Sequence, residues 1–230
     1  MRRPKATRNR FLLPVLVAPF ALAVGCGAMF GSSGSERITA PQASRSPKMD
    51  FDRIGTIAVF PLFPAGQVDE PEFAEGLVAS LTEQVARHQS QWKIQSYRET
   101  LGFISQADLG AGYKNLQADF NTFGGPGGQI VMSPATREFM RRLASVSGAD
   151  AFIIGSYNLG VQARQTQNPF TGAAVRYVDA CEVRLSVYYA PDDENWWTAA
   201  VTRAGSRDFI RQEISSSLGA YLGKGTLRQL

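Results

Sequence analysis

Two stretches of this chain limit its fold more than any others: Ile54-Gly55-Thr56-Ile57-Ala58-Val59-Phe60 and Ala149-Asp150-Ala151-Phe152-Ile153-Ile154-Gly155-Ser156-Tyr157. A strand sends alternate side chains to opposite faces, so a run this apolar, without alternation, has no face to give to water. The first predicts a central strand covered on both sides and ended by Pro61 and Pro64. The second predicts a buried strand continuing into the more alternating Leu159 to Arg164. Beyond a turn-rich tip, Asn168-Pro169-Phe170-Thr171-Gly172, alternation takes over: Val175, Tyr177, Cys181, Val183, Leu185, Val187 and Tyr189 share one face, and Arg176, Glu182, Arg184 and Ser186 the other. That pattern predicts a hairpin. Pro191-Asp192-Asp193-Glu194-Asn195 then turns the chain into a strand from Trp196 to Arg203, completing a three-strand antiparallel meander.

Helical spacing fills the remainder. Pro71 opens a helix to about Arg87 whose Phe73, Leu77, Leu81 and Val85 form one buried stripe. Trp92 to Tyr97 reads as a short strand, and Glu99 to Gln106 as a short helix with Leu101 and Ile104 on one side. Ala107 to Met132, rich in Gly and amide side chains, reads as an irregular loop. Ser133 caps and Pro134 starts a helix to about Val146, lined by Phe139, Leu143 and Val146 and stopped at Ser147-Gly148. Ser206 caps a last helix to about Leu222, with Ile210, Ile214, Leu218 and Tyr221 inward. The order β-α-β-α-α-β-β-β-α gives an α/β (α+β) class: a single domain over residues 51–230 with a mixed sheet flanked by helices. Either one layer of each or helices on both faces is allowed.

The N-terminal end says where the protein is held. Arg2, Arg3, Lys5, Arg8 and Arg10 head an apolar run from Phe11 to Gly25, interrupted by Pro14 and Pro19 and shorter than the roughly 20 apolar residues a membrane span needs. The run closes on Leu22-Ala23-Val24-Gly25-Cys26, which resembles a bacterial lipobox, with Ala23 where that motif more often has Leu. The resemblance implies that residues 1–25 are a removed signal peptide and that Cys26 carries a diacylglycerol and an acylated amino group. The bilayer would then be the first partner, reached through acyl chains of the palmitate type. Gly27 and Ala28 lack an acidic retention signal, which in the resembled lipoproteins implies the outer membrane, facing the periplasm. Residues 26–50, mostly Gly, Ser, Pro, Ala and scattered charge, read as a tether.

Charge narrows the partners further. The chain carries 24 Lys and Arg against 20 Asp and Glu, but the leader holds five of those cations, so the mature balance is near neutral. A nucleic-acid role loses its electrostatic basis. No cofactor and no metal is expected: His88 is the only histidine, placed near the polar end of a helix, where solvent or a C-terminal capping role suits it. Gly124-Gly125-Pro126-Gly127-Gly128 lacks the Gly-Lys-Ser/Thr ending of a phosphate loop. Cys181, in an alternating apolar stretch, reads as a small buried hydrophobe. A hydrolase would need a nucleophile with a base or paired carboxylates. Ser156 has no Gly-x-Ser-x-Gly setting, and Asp192, Asp193 and Glu194 crowd a turn where solvation accounts for them.

The Ile57-Ala58-Val59-Phe60-Pro61 strand, together with Gly148 to Ser156 entering a hairpin, resembles the periplasmic lipoprotein domains related to the curli secretion channel subunit, the activator of penicillin-binding proteins and the TolB amino-terminal domain. That resemblance implies no catalytic residues and action by binding, in cell-wall synthesis or an export assembly. A membrane-crossing hairpin would set Arg176, Glu182 and Arg184 against lipid or a pore, which argues against a channel. The candidate partner contacts are Phe120, Phe123, Phe170 and Trp196; Trp196 and Trp197 are expected on opposite faces of their strand. Phe120 and Phe123 could equally fold back on the core. A ring-forming homo-oligomer, with the meander edge adding to a neighbouring sheet, is the alternative reading.

Overall fold

The computed structural model describes residues 42–121, 132–168 and 172–224. Among these residues seven strands form one mixed sheet: β1 (Gln42–Arg45), β2 (Thr56–Val59), β3 (Phe63–Pro64), β4 (Lys93–Gln95), β5 (Ala151–Asn168), β6 (Gly172–Tyr189) and β7 (Glu194–Gly205). Their order across the sheet is β1-β7-β6-β5-β2-β4, with β3 beside β5. β2 runs parallel to both β4 and β5, and β5, β6, β7 and β1 are antiparallel in turn. The expected meander is present, and the apolar β2 is central.

Among the described residues five helices flank this sheet: α1 (Pro71–His88), α2 (Tyr97–Gln106), α3 (Gly110–Asn121), α4 (Pro134–Ser147) and α5 (Arg207–Lys224). Alternation along β2 sorts the core into two clusters. Ile57 and Val59 join Phe73, Leu77, Leu81 and Val85 of α1 and Ile210, Ile214 and Leu218 of α5, whereas Ala58 and Phe60 join Ile104, Leu116, Phe139, Met140 and Leu143 of α2 to α4. Helices therefore cover both faces at β2. On β6 the α2–α4 side holds Tyr188 in that cluster and then turns polar: Arg184 bonds Glu182 at 2.7 Å, and the Ser186 hydroxyl lies 2.9 Å from Asn195 Oδ1.

The local signals act as their chemistry requires. The Ser96 hydroxyl accepts the Glu99 N–H while the Glu99 carboxylate accepts the Ser96 N–H, a capping box that starts α2 two residues earlier than Glu99. Ser133 accepts the Thr136 N–H, and Ser206 accepts the Phe209 N–H. Gly148 closes α4 at φ 66°, a left-handed conformation that glycine adopts without penalty. Asp150 then ties the sheet together, its Oδ2 accepting the N–H groups of Gly55 at 2.9 Å and Thr56 at 2.8 Å.

Three expectations are corrected. The tether ends earlier than Asp50: Gln42–Arg45 pairs with β7, and Met49 and Phe51 are buried. The front of the loop at residues 107–132 is helix α3, with Leu109, Leu116 and Phe120 buried beneath it. Third, Trp196 and Trp197 share one face. The β6/β7 register pairs Val187 with Trp197 but Tyr188 with Asn195, so Trp196 is the extra residue of a bulge, and both indoles enter the α1/α5 cluster.

Candidate functional site

The β5–β6 hairpin outgrows its sheet. Its strands pair over their whole length, from Ala151 with Tyr189 to Asn168 with Gly172. β7, however, accompanies β6 only from Tyr189 back to Asp179, and β3 accompanies β5 only to Tyr157. Beyond those limits a two-stranded ribbon projects, with both long edges unpaired among the described residues. Cross-strand partners share a face, so Val161, Ala163, Val175 and Tyr177 extend the stripe that holds Leu159, Cys181 and Val183 in the α1/α5 core. Among the described residues no helix covers that stripe on the ribbon: Val161 is 71% exposed, Val175 58% and Tyr177 70%. Gln162 and Arg176, both exposed, lie on the opposite side.

Register also fixes the direction from which the N-terminal segment arrives. Gln42 stands opposite Ala200 and Arg45 opposite Trp197, while the far end of β7, Gly205, stands opposite Asp179 at the root of the ribbon. The chain thus enters β1 from the ribbon end of the sheet.

The sequence-derived contact residues fare differently. Phe120 is 1% exposed and packs on Phe63 at 5.7 Å between ring centres. Trp196 is fully buried, stacked on Tyr189 at 3.7 Å, with the Arg53 guanidinium over both rings and bonded to Asp192. Neither offers a surface to a partner, because core packing has taken both rings. Phe123, Phe170 and Cys26 lie outside the described residues. The sequence pattern does not single out the exposed Val161, Val175 and Tyr177, because it marks a strand face without saying where its cover stops.

The groups considered for chemistry lie apart. Cys181 is 1% exposed, and burial pushes its thiol up to about 12. Ser156, 2% exposed, lines a shallow depression with Glu182 and Arg184. His88 ends α1, whose N-terminus lies against β5 because the Glu70 N–H donates to the Tyr157 hydroxyl; an 18-residue helix is about 27 Å long. The three turn carboxylates are each engaged: Asp192 with Arg53, Asp193 with Arg137 and the Tyr188 hydroxyl, Glu194 with Lys48 and Ser46. Among the described residues no helix is long and apolar enough to cross a membrane, and no cluster of metal-ligating side chains occurs.

No protein-family model matches the chain, and no curated protein is similar to it in sequence. Solved structures of similar outline include the PelC dodecamer from Paraburkholderia phytofirmans, 11% identical over 80% of this chain and 93% of that one, with a TM-score of 0.42. Lipoprotein GNA1162 from Neisseria meningitidis is 10% identical over 74% of this chain and 99% of its own, with a TM-score of 0.41. The hypothetical protein CT253 from Chlamydia trachomatis is 12% identical over 74% and 96%, at 0.37. Likeness at this level carries no argument about what this chain does.

Proposed function

We propose that this is a non-enzymatic lipoprotein of the cell envelope, tethered through acyl chains on Cys26 to the outer membrane facing the periplasm, and that it binds protein partners of cell-wall synthesis or an export assembly through its β5–β6 ribbon. One observation carries the reading: a strand pair extends past its sheet with Val161, Val175 and Tyr177 uncovered, at the end where the chain enters from the leader side. Apolar side chains grouped on a projecting element are characteristic of contact surfaces. The buried Cys181 thiol and Ser156 hydroxyl fit structural roles.

Photo-crosslinking residues placed at Val161 and Tyr177, with His88 as control, test the proposal in intact cells. Defined protein adducts from the ribbon and none from His88 are expected; equal trapping at all three would refute the ribbon as the contact. Mass spectrometry of the protein from its host tests the anchor separately, since an intact leader without acyl mass would remove it.

A ring of identical copies is the second reading, favoured by the ribbon edges, which among the described residues offer unpaired N–H and C=O groups for strand addition. Mass in detergent decides it: a defined multiple of the chain supports the ring, and a monomer excludes it.

A further inference from the structure

We propose that a cleft at the carboxyl ends of β2 and β4 binds a small organic cation on an apolar stem, an alkylammonium or alkylguanidinium group. Topology creates the opening. β2 lies between β4 and β5 and is parallel to both. The connection from β2 to β4 is α1, which packs on one face; the connection from β4 to β5 runs through α2, α3 and α4, which pack on the other. Chains leaving neighbouring parallel strands in opposite directions part at their carboxyl ends, the place where open α/β sheets receive ligands.

A cleft of about 250 Å³ occupies that place, bounded by the residues just after β2, the first turns of α1, and α2 and α3. Leu62, Ala74, Val78 and Leu101 supply apolar walls. The rings of Tyr97 and Tyr113 complete them. Tyr113 stacks on Phe60 at 6.3 Å between ring centres. The volume is small for a pocket, matching one side chain or a short amine better than a nucleotide-sized molecule.

Charge selects the sign of the ligand. Asp69 and Glu75, both exposed, are the ionisable carboxylates on the lining. One Asp69 oxygen accepts from the Tyr157 hydroxyl at 2.9 Å. Nearby Glu70 is matched by Arg207. The rim already accommodates a cation. The Arg98 guanidinium lies 5.6 Å from the Tyr97 ring centre, donates from Nε to the Tyr97 hydroxyl, and stands 3.9 Å from Glu75. A guanidinium or ammonium group over an aromatic ring is held by the ring's negative face, and the carboxylates add to that attraction. An anion would meet Asp69 and Glu75 instead.

The proposal stands apart from the ribbon and from the membrane anchor. It is tested on the full chain carrying Cys26→Ser, by titrating amide and tyrosine NMR signals with n-butylammonium, n-propylguanidinium and, as stem-matched controls, n-butyrate and n-butanol. Both cations should shift signals of Leu62, Glu75 and Tyr113 with a dissociation constant on the order of millimolar, as expected for so few heavy atoms. Butyrate and butanol should not. Asp69→Asn and Glu75→Gln should each weaken binding roughly threefold to fivefold, and Arg98→Ala, which removes an internal competitor, should strengthen it. A lysine-containing tripeptide separates the sources of the cation: tighter binding than butylammonium points to a partner's side chain, and equal binding to a free amine. No localised shift by either cation, or equal response to butyrate, overturns the proposal.

Discussion

Removing the Asp150 carboxylate should loosen the junction on which the sheet depends. Its Oδ2 accepts the Gly55 N–H at 2.9 Å and the Thr56 N–H at 2.8 Å, while the Asp150 backbone bonds the Thr56 carbonyl and accepts from Ala190. The side chain thus fixes the entry to β2 against the start of β5. A hydrogen bond to a charged group contributes about 1.5–3 kcal/mol where water is excluded. Gly55 is exposed, so water replaces much of that bond, whereas the Thr56 bond is partly buried. Asp150→Ala should therefore cost about 2–3 kcal/mol, and Asp150→Asn, which keeps an acceptor oxygen in place without its charge, about 1 kcal/mol. For a domain of this size the alanine variant should melt roughly 5–10 °C lower. Urea unfolding followed by circular dichroism measures both, and the midpoint should fall with an unchanged slope. If alanine comes within about 0.5 kcal/mol of the parent, or asparagine is worse than alanine, the clamp is not what holds these strands.

Two further outcomes follow from packing. In a Cys26→Ser chain, Cys181 should react with a thiol reagent at pH 8 only as fast as the chain unfolds. Burial raises the folded thiol from 9.0 to about 12, so the unfolded state loses its proton first and stability falls as pH rises above 9. That fall is at most about 1.4 kcal/mol per pH unit, and Cys181→Ala should flatten the stability profile between pH 9 and 10, below the ordinary tyrosine range; an unchanged profile would refute the assignment. At the α1/α5 contact, a Cβ on Gly219 would stand 2.4 Å from the Gln84 Cβ. Gly219→Ala should lower stability by about 1–3 kcal/mol despite the helix preference for alanine, and a rise in the urea midpoint would show that the helices have room to spare.

Elements whose burial is periodic were legible in the residues. β2, α1, α4, α5 and the meander follow from apolar spacing alone, because each buries one stripe or both faces. α3 was hidden although Leu109, Tyr113, Leu116 and Phe120 carry a helical period: Gly110 and Gly112 resemble loop residues. Gly112 is small for a packing reason, since a Cβ there would meet Phe139 at 2.5 Å. β1 was illegible for a different cause, because an edge strand held by backbone bonds needs no apolar pattern. A bulge is likewise invisible to alternation, which puts the two indoles on opposite faces where the structure puts them on one. The ribbon was legible as a strand pair, but its exposure depends on where β7 and β3 stop. The cleft arises only when two crossovers diverge around β2, a long-range property that no local window contains.

Pairing Gln42–Arg45 with β7 shortens the leash. Sixteen residue steps separate Cys26 from Gln42, so the sheet edge stays within about 55 Å of the proposed acyl site whatever path the chain takes. If the chain is anchored at Cys26 as proposed, tension from the bilayer would reach the four-residue β1 ladder before the buried Met49 and Phe51. β1 is therefore placed as a mechanical fuse, able to peel from the edge and pay out slack while the two cores beneath it stay closed.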